Sequence, residues 1–253
     1  MSRNQRVQPG GGSRGGKPSG RGRGGAKPAV PGWAPVATTS TDSAPPLALA
    51  YTPSTSSSSS SGLRQAAALP PDLEYIEDFI TADEERALVQ AIDAQEWSEK
   101  LHRRTQHYGY EFDYSRQDIN TSVPIELPVF AQQIIEKMRQ RGLPQFDQLI
   151  INEYTPGQGI NPHIDKTHCF GPCVVSLSLL STCVMTFTSL ETGEKIPVVL
   201  RPRSLVVLRG QARYGWQHGI EPKRADIVAG KHTPRARRVS LTYRTVAKSA
   251  GNA

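Results

Sequence analysis

No run of the chain comes near the roughly 20 consecutive apolar residues that a membrane-spanning helix requires, and nothing close to Met1 is apolar enough for a secretory signal. Both are excluded, and a soluble nuclear or cytosolic protein is expected. Cysteine is scarce: Cys169, Cys173 and Cys183 form an odd set without close pairing, which fits a reducing compartment better than a disulfide framework. Cys169 and Cys173 stand beside His168, but three candidate ligands at a non-standard spacing make a poor zinc site. Cys183 alternates with Met185 and Phe187 and reads as core. Acidic residues are nearly missing from the first 70 positions. There Arg3, Arg6, Arg14, Lys17, Arg21, Arg23, Lys27 and Arg64 face only Asp42, so this segment accounts for the whole net charge of +7 and the remainder balances.

The same segment lacks the means to fold. "QPGGGSRGGKPSGRGRGGAKP" and "YTPSTSSSSSSG" offer almost nothing apolar to bury, so ordering them would cost backbone entropy with no hydrophobic return. Residues 1–70 are therefore expected to be a disordered tail. Its two Arg-Gly-Gly triplets, at 14–16 and 23–25, resemble segments that bind RNA through phosphate contacts and guanidinium stacking. A solvated linker and an organelle transit peptide, also Ser-rich and acid-poor, are the alternatives.

Residues 71–253 read as one compact domain. Thr81 and Glu84 form a capping box ahead of a helix that puts Leu88 and Ile92 on one face. A second helix is predicted from about Leu127 to Arg141, with Phe130, Ile134 and Met138 at four-residue steps and Gly142 as its stop. The rest favours strands: "LIINEY", "VVSLSLL", "CVMTF", "IPVVL", "SLVVLRG" and "RRVSLTYR" are β-branched or alternating and are separated by turn residues. Two helices followed by six or more strands imply an α+β domain built on a sandwich or jelly-roll.

Within "NPHIDKTH", His163 and Asp165 are two apart, and in an extended segment they lie on one face and can grip one ion together. A third ligand is needed. His102, His107 and His232 stand in polar or basic segments, whereas His218 in "GWQHGI" follows an apolar strand and is the best candidate, with a buried core histidine as the alternative. Two imidazoles and one carboxylate leave open positions on a metal, as non-haem Fe(II) oxygenases use them. The last strand sharpens this. Val239, Leu241 and Tyr243 face one way, and Arg238, Ser240, Thr242 and Arg244 the other. Arginines aimed into a sandwich demand anions. Six strand steps separate the two arginine Cα atoms by about 20 Å, and inward reaches of about 6 Å leave a gap of about 7 to 8 Å, room for a five-carbon dicarboxylate. Asn152 and Tyr154 are uncharged donors suited to orient it. An edge strand with both arginines in solvent is the alternative.

"INEYTPGQGINPHID", "HGI" and "RRVSLTYR" together resemble the signature of the AlkB family of Fe(II)/2-oxoglutarate dioxygenases, across essentially all of residues 71–253. "RRTQHYGYEFDY", "VVSLSLLSTCVMTF" and "RPRSLVVLRGQARYGWQHGI" bring it nearest to the branch that hydroxylates wobble uridine in tRNA. The resemblance implies a double-stranded β-helix (jelly-roll, cupin-like) with bracing helices, and Fe(II), 2-oxoglutarate and molecular oxygen as cofactor and co-substrates. It implies His163, Asp165 and His218 as iron ligands, Arg238 on the distal carboxylate of 2-oxoglutarate, Arg244 near its C1 end, and Asn152 and Tyr154 as hydrogen-bonding helpers. Tyr108, Tyr110 and Phe112 are implied in a lid over the target nucleotide, although their alternation also suits a plain core hairpin. Animal members of that branch resemble a three-part protein with an RNA-recognition module before the oxygenase and a methyltransferase after it. With nine residues beyond Arg244, neither is expected here, so the tail is expected to supply RNA contact and a separate tRNA methyltransferase the methylated base. Leu180 stands where members of the branch tend to have glycine. Three activities are open: oxidation of a modified nucleotide in RNA, foremost a tRNA base; oxidative dealkylation of DNA or RNA; and protein hydroxylation, or RNA binding without catalysis. The chemistry separates the first two, because hydroxylation of an N-methyl group releases formaldehyde whereas hydroxylation of a carbon side chain leaves a stable alcohol.

Overall fold

The computed structural model describes residues 69–113 and 118–247. The expected tail, but for Leu69 and Pro70, lies outside the described residues, as does the side chain of Phe112. Along the chain run β1 (Leu73–Ile76), α1 (Ala82–Asp93), β2 (Thr105–Asp113), β3 (Asp118–Ile125), α2 (Val129–Arg139), β4 (Gln148–Tyr154), β5 (Ile160–His163), β6 (Phe170–Leu179), β7 (Cys183–Ser189) and β8 (Lys195–Leu200). They are followed by β9 (Leu205–Leu208), α3 (Gly210–Tyr214), β10 (Trp216–Ile220), β11 (Ala225–Val228), β12 (Lys231–Pro234) and β13 (Arg238–Val246).

The capping box before α1 forms as predicted: the Glu84 N–H donates to Thr81 Oγ1, and the Thr81 N–H donates to the Glu84 carboxylate at 2.8 Å. The second helix is shorter than expected. Pro128, held at φ −64° and ψ 156°, takes the cap position and leaves Leu127 outside. At the far end Gly142 adopts φ +75°, a left-handed conformation that suits glycine. The Leu143 N–H then reaches back to the Met138 carbonyl and that of Gly142 to Arg139, the paired closure of a Schellman motif.

A seven-stranded sheet in the order β1-β9-β6-β13-β4-β2-β3 and a four-stranded sheet in the order β5-β10-β7-β8 are antiparallel throughout, and β11 and β12 form a separate hairpin. Two cores result, one on each side of the large sheet. Leu88, Ile92, Phe130, Ile134 and Met138 of the helices pack with Leu149, Ile151, Val175, Leu177, Val239, Leu241 and Tyr243 on its outer face. Phe187, Val198 and Leu200 of the small sheet pack with Val174, Val206 and Leu208 on its inner face. The period-two alternation of β13 thus places its apolar residues against the helices and its polar residues between the sheets. The result is the expected double-stranded β-helix braced by helices. No helix among the described residues is long and apolar enough to cross a membrane.

Candidate active site

Between the sheets lies a cavity of about 350 Å³ whose walls include His163, Asp165 and His218 at one side, Arg238, Ser240, Thr242 and Arg244 along β13, and Asn152 and Tyr154 on β4. Register brings these together. His218 of β10 is the direct partner of His163 on β5, and on the large sheet Arg238 pairs with Tyr154 and Ser240 with Asn152. The backbone ladder itself therefore holds the two imidazoles side by side, with ring centroids 4.5 Å apart and the ring planes tilted by 52°. Gly219 permits the approach, since a Cβ there would lie 2.8 Å from the Pro162 nitrogen. Strand β5 ends at His163, so Asp165 reaches the site from the loop that follows and not from the strand itself. Candidate ligand atoms of His163, Asp165 and His218 all lie within 4.8 Å of one another, and His218 Nε2 is 3.6 Å from Asp165 Oδ2.

Protonation suits a metal. Burial alone would raise the Asp165 carboxyl, but Arg244, His218, His163 and Arg213 around it hold it down at about 2. Burial pushes His218 down to about 4, against the pull of Asp165. His163 Nδ1 lies 2.8 Å from the Asn161 carbonyl, and a proton carried there leaves Nε2 with its lone pair for an ion. Two imidazoles and one carboxylate on one side of a cavity match the donor set of a non-haem Fe(II) centre.

The arginines are not equivalent. Arg244 Nη2 stands 2.5 Å from Asp165 Oδ1, and Arg244 Nη1 3.4 Å from Gln148 Oε1, so this guanidinium is largely engaged by the protein. Arg238, 3% exposed, donates one bond to Ser178 Oγ at 2.8 Å and lies over the Tyr154 ring at 5.4 Å, while its Nε and Nη1 have no protein partner. Orphaned cationic donors in a buried cavity call for an anion, and a carboxylate satisfies them. The residues present thus fit both a metal and a dicarboxylate.

Tyr108 is not brought to the triad. It lies on the helix side of the sheet, edge-on to Phe130 with centroids 6.2 Å apart, and its hydroxyl donates to Gln106. Tyr110, two residues on, is half-buried. A larger groove of about 570 Å³ runs along residues 94–101 to Tyr108, and the triad is not part of its wall. His102, His107 and His232 are not among the clustered ligands, and Cys169, Cys173 and Cys183 are buried thiols. Three contributors escaped sequence reasoning. Arg103 donates to Asn152 Oδ1 at 2.8 Å, Ser178 braces Arg238, and Arg213, 2% exposed, donates 2.8 Å to the Asp165 carbonyl. Ser178 was signalled by the serine alternation of "VVSLSLL"; an arginine in "QARYG" gives no such sign.

The family model described as the 2OG-Fe(II) oxygenase superfamily matches residues 72–244. The chain is 41% identical over 168 residues to the Xenopus tropicalis protein named tRNA (carboxymethyluridine(34)-5-O)-methyltransferase alkbh8, a match spanning 63% of this chain and 27% of that one. It is 38% identical over 204 residues to the Arabidopsis thaliana "Alkylated DNA repair protein ALKBH8 homolog", spanning 70% of this chain and 58% of the relative. The solved structure of OsALKBH1 superimposes with a TM-score of 0.54 at 18% identity, over 70% of this chain and 98% of that one, which supports the fold. The chain matches only part of the length of either named relative. Taken with the cavity and its donor set, these matches establish that the chain belongs to the AlkB family of 2OG-Fe(II) oxygenases.

Proposed function

We propose that the protein oxidises a modified base in RNA, and specifically in tRNA, with His163, Asp165 and His218 holding Fe(II). Arg238 anchors the distal carboxylate of 2-oxoglutarate, Arg244 lies near its C1 end, and Asn152 and Tyr154 assist. The observation that carries the oxygenase assignment is the pairing, in one cavity, of a two-imidazole, one-carboxylate cluster with an arginine whose Nε and Nη1 have no partner. Fe(II), when bound, supplies oxygen activation coupled to decarboxylation of 2-oxoglutarate to succinate and carbon dioxide. The side chains do the rest. Asp165 and His218 stand in their ligating forms near neutral pH, so neither of these two has to lose a proton for an ion to enter. Arg244 steadies Asp165, Ser178 fixes the plane of Arg238, and Phe187, Leu200, Val206 and Leu208 line the cavity and keep water from the reacting groups.

The tRNA substrate rests on likeness to the frog relative, whose name specifies a carboxymethylated uridine at position 34. That name describes a methyl transfer, to which a metal-ligand triad contributes nothing; the uridine is what carries over. The plant relative's name, alkylated DNA repair, favours a second reading, oxidative dealkylation. Residues 1–70 are proposed to add sequence-independent RNA affinity, and a separate protein to make the methylated base. Mass spectrometry of nucleosides from tRNA and mRNA of cells with and without the protein tests the substrate. Loss of a hydroxylated uridine from tRNA is expected, whereas an accumulated N-methyl base, with formaldehyde released in vitro, supports dealkylation. His163→Ala and Asp165→Ala should abolish succinate formation by folded protein, and undiminished succinate from the double variant sinks the iron site.

A further inference from the structure

The Arg213 guanidinium is among the most deeply buried charges of the described residues, and the Asp165 carboxylate acts on it through space, without a direct hydrogen bond. Instead it donates to three backbone carbonyls: Nη1 to Asp165 at 2.8 Å, Nε to Gly171 at 3.2 Å and Nη2 to Phe170 at 3.3 Å. Its other neighbour is the ring of Tyr214, 5.0 Å away. A desolvated cation whose hydrogen bonds all go to carbonyl dipoles is a costly arrangement, and core packing could be achieved with an apolar side chain of similar length. Its place in the chain explains the cost. Arg213 sits in α3, which leads directly into β10 and His218, while its three acceptors span the loop that carries Asp165 and the start of β6. This loop is closed further by turns at Lys166, whose carbonyl accepts from the N–H groups of Cys169 and Phe170, by the Ala247 N–H donating to the Cys169 carbonyl, and by Arg244 pairing with the Asp165 carboxylate.

We propose that Arg213 is a positioning residue of the metal centre: it fixes the backbone of Asp165 relative to His218, so that ligands from two separate segments keep one geometry. The inference rests on the iron-site reading above. His163 and His218 are already joined by the β5 to β10 ladder, and Arg213 performs the corresponding task for the one ligand that no ladder holds.

The test uses the full-length protein with Mn(II) and Co(II) as probes, in wild type, Arg213→Met, Arg213→Lys and Asp165→Ala. Wild type should bind Mn(II), and Asp165→Ala should lose it. Arg213→Met should fold and yet bind Mn(II) about 10 to 100-fold more weakly, as expected for loss of a group that orients a ligand, and its Co(II) absorption bands should shift. Arg213→Lys, which cannot reach three carbonyls at once, should fall between. A role confined to packing predicts a different result: a lower melting temperature of the metal-free protein with Mn(II) affinity and Co(II) spectrum unchanged, and that result overturns the proposal. So does failure of both variants to fold, which would make Arg213 a general folding determinant. Wild type that binds no Mn(II) at all overturns the iron site first.

Discussion

Arg238 and Arg244 share a strand and a cavity, yet Arg238 keeps two nitrogens, Nε and Nη1, without a protein partner and Arg244 only its Nε, its Nη2 being paired with Asp165, and the division assigns them different tasks. Arg238→Ala should raise the 2-oxoglutarate concentration needed for half-maximal succinate formation at least about tenfold, since a charge-assisted bond is commonly worth about 1.5 to 3 kcal/mol. An unchanged requirement, with RNA affinity lost instead, would remove Arg238 from the co-substrate. Both arginines were legible in the sequence because strict alternation in "RRVSLTYR" leaves them on the polar face. Their inequivalence was not, because it depends on Asp165 arriving from a loop. Across the same sheet, Glu153 accepts from Arg104 at 2.6 Å and from Arg237 at 2.6 Å, with Arg237 also paired to Asp93 of α1. Burial would raise the Glu153 carboxyl, but these guanidinium bonds pull it below the usual value. A carboxylate with a lowered folded-state pKa contributes stability that is complete above the unfolded value, about 4.3, and is lost as pH falls through the folded one. Glu153→Gln should therefore lower the urea midpoint at pH 7 and flatten its decline below pH 4. An equal drop at both pH values would mean that only packing was lost.

At the scale of elements, α1 is fixed by a reciprocal cap whose glutamate also takes Lys137 of α2, so one side chain serves both helices. Thr81→Ala should cost about 0.5 to 2 kcal/mol, read from chemical denaturation. The turn between β6 and β7 carries a contrary feature. Leu180 adopts φ +72° and is 39% exposed, so it bears left-handed strain with little burial in return. Leu180→Gly should therefore stabilise the domain by about 0.5 to 1 kcal/mol. A melting temperature that falls instead would show that the Leu180 side chain has a contact worth more than the strain. Elements with strong apolar patterns, α1, α2, β4, β6 and β13, were readable because burial on a known face leaves a period. Strands β5, β11 and β12 were not: Asn161 and Pro162 give β5 no strand signature, and "ADIV" and "KHTP" are short and half-polar. They are defined by their partners, and pairing leaves little trace in a short polar run.

For the molecule as a whole, charge and the proposed chemistry are separated along the chain, with the +7 confined to residues 1–70 and the proposed site residues between 152 and 244. Deleting residues 1–70 should weaken RNA binding and flatten its dependence on salt while leaving kcat on a saturating short oligonucleotide nearly intact. Identical salt slopes for full-length and truncated protein would rule out an RNA-binding tail. The metal site itself stands at a margin of the fold. Strand β5 has four residues and, among the described residues, is bonded on one side only, to β10; Asn161 and Pro162 are exposed, and Pro162 has no N–H to offer a neighbouring chain, which discourages edge-to-edge association. An edge strand of that length opens at far less free energy than the sheets behind it. Warming should therefore release iron before it unfolds the domain, so that activity disappears several degrees below the loss of near-ultraviolet circular dichroism and returns on cooling when Fe(II) is resupplied. On that outcome the enzyme would age by emptying, and its working lifetime would follow how quickly the metal is replaced.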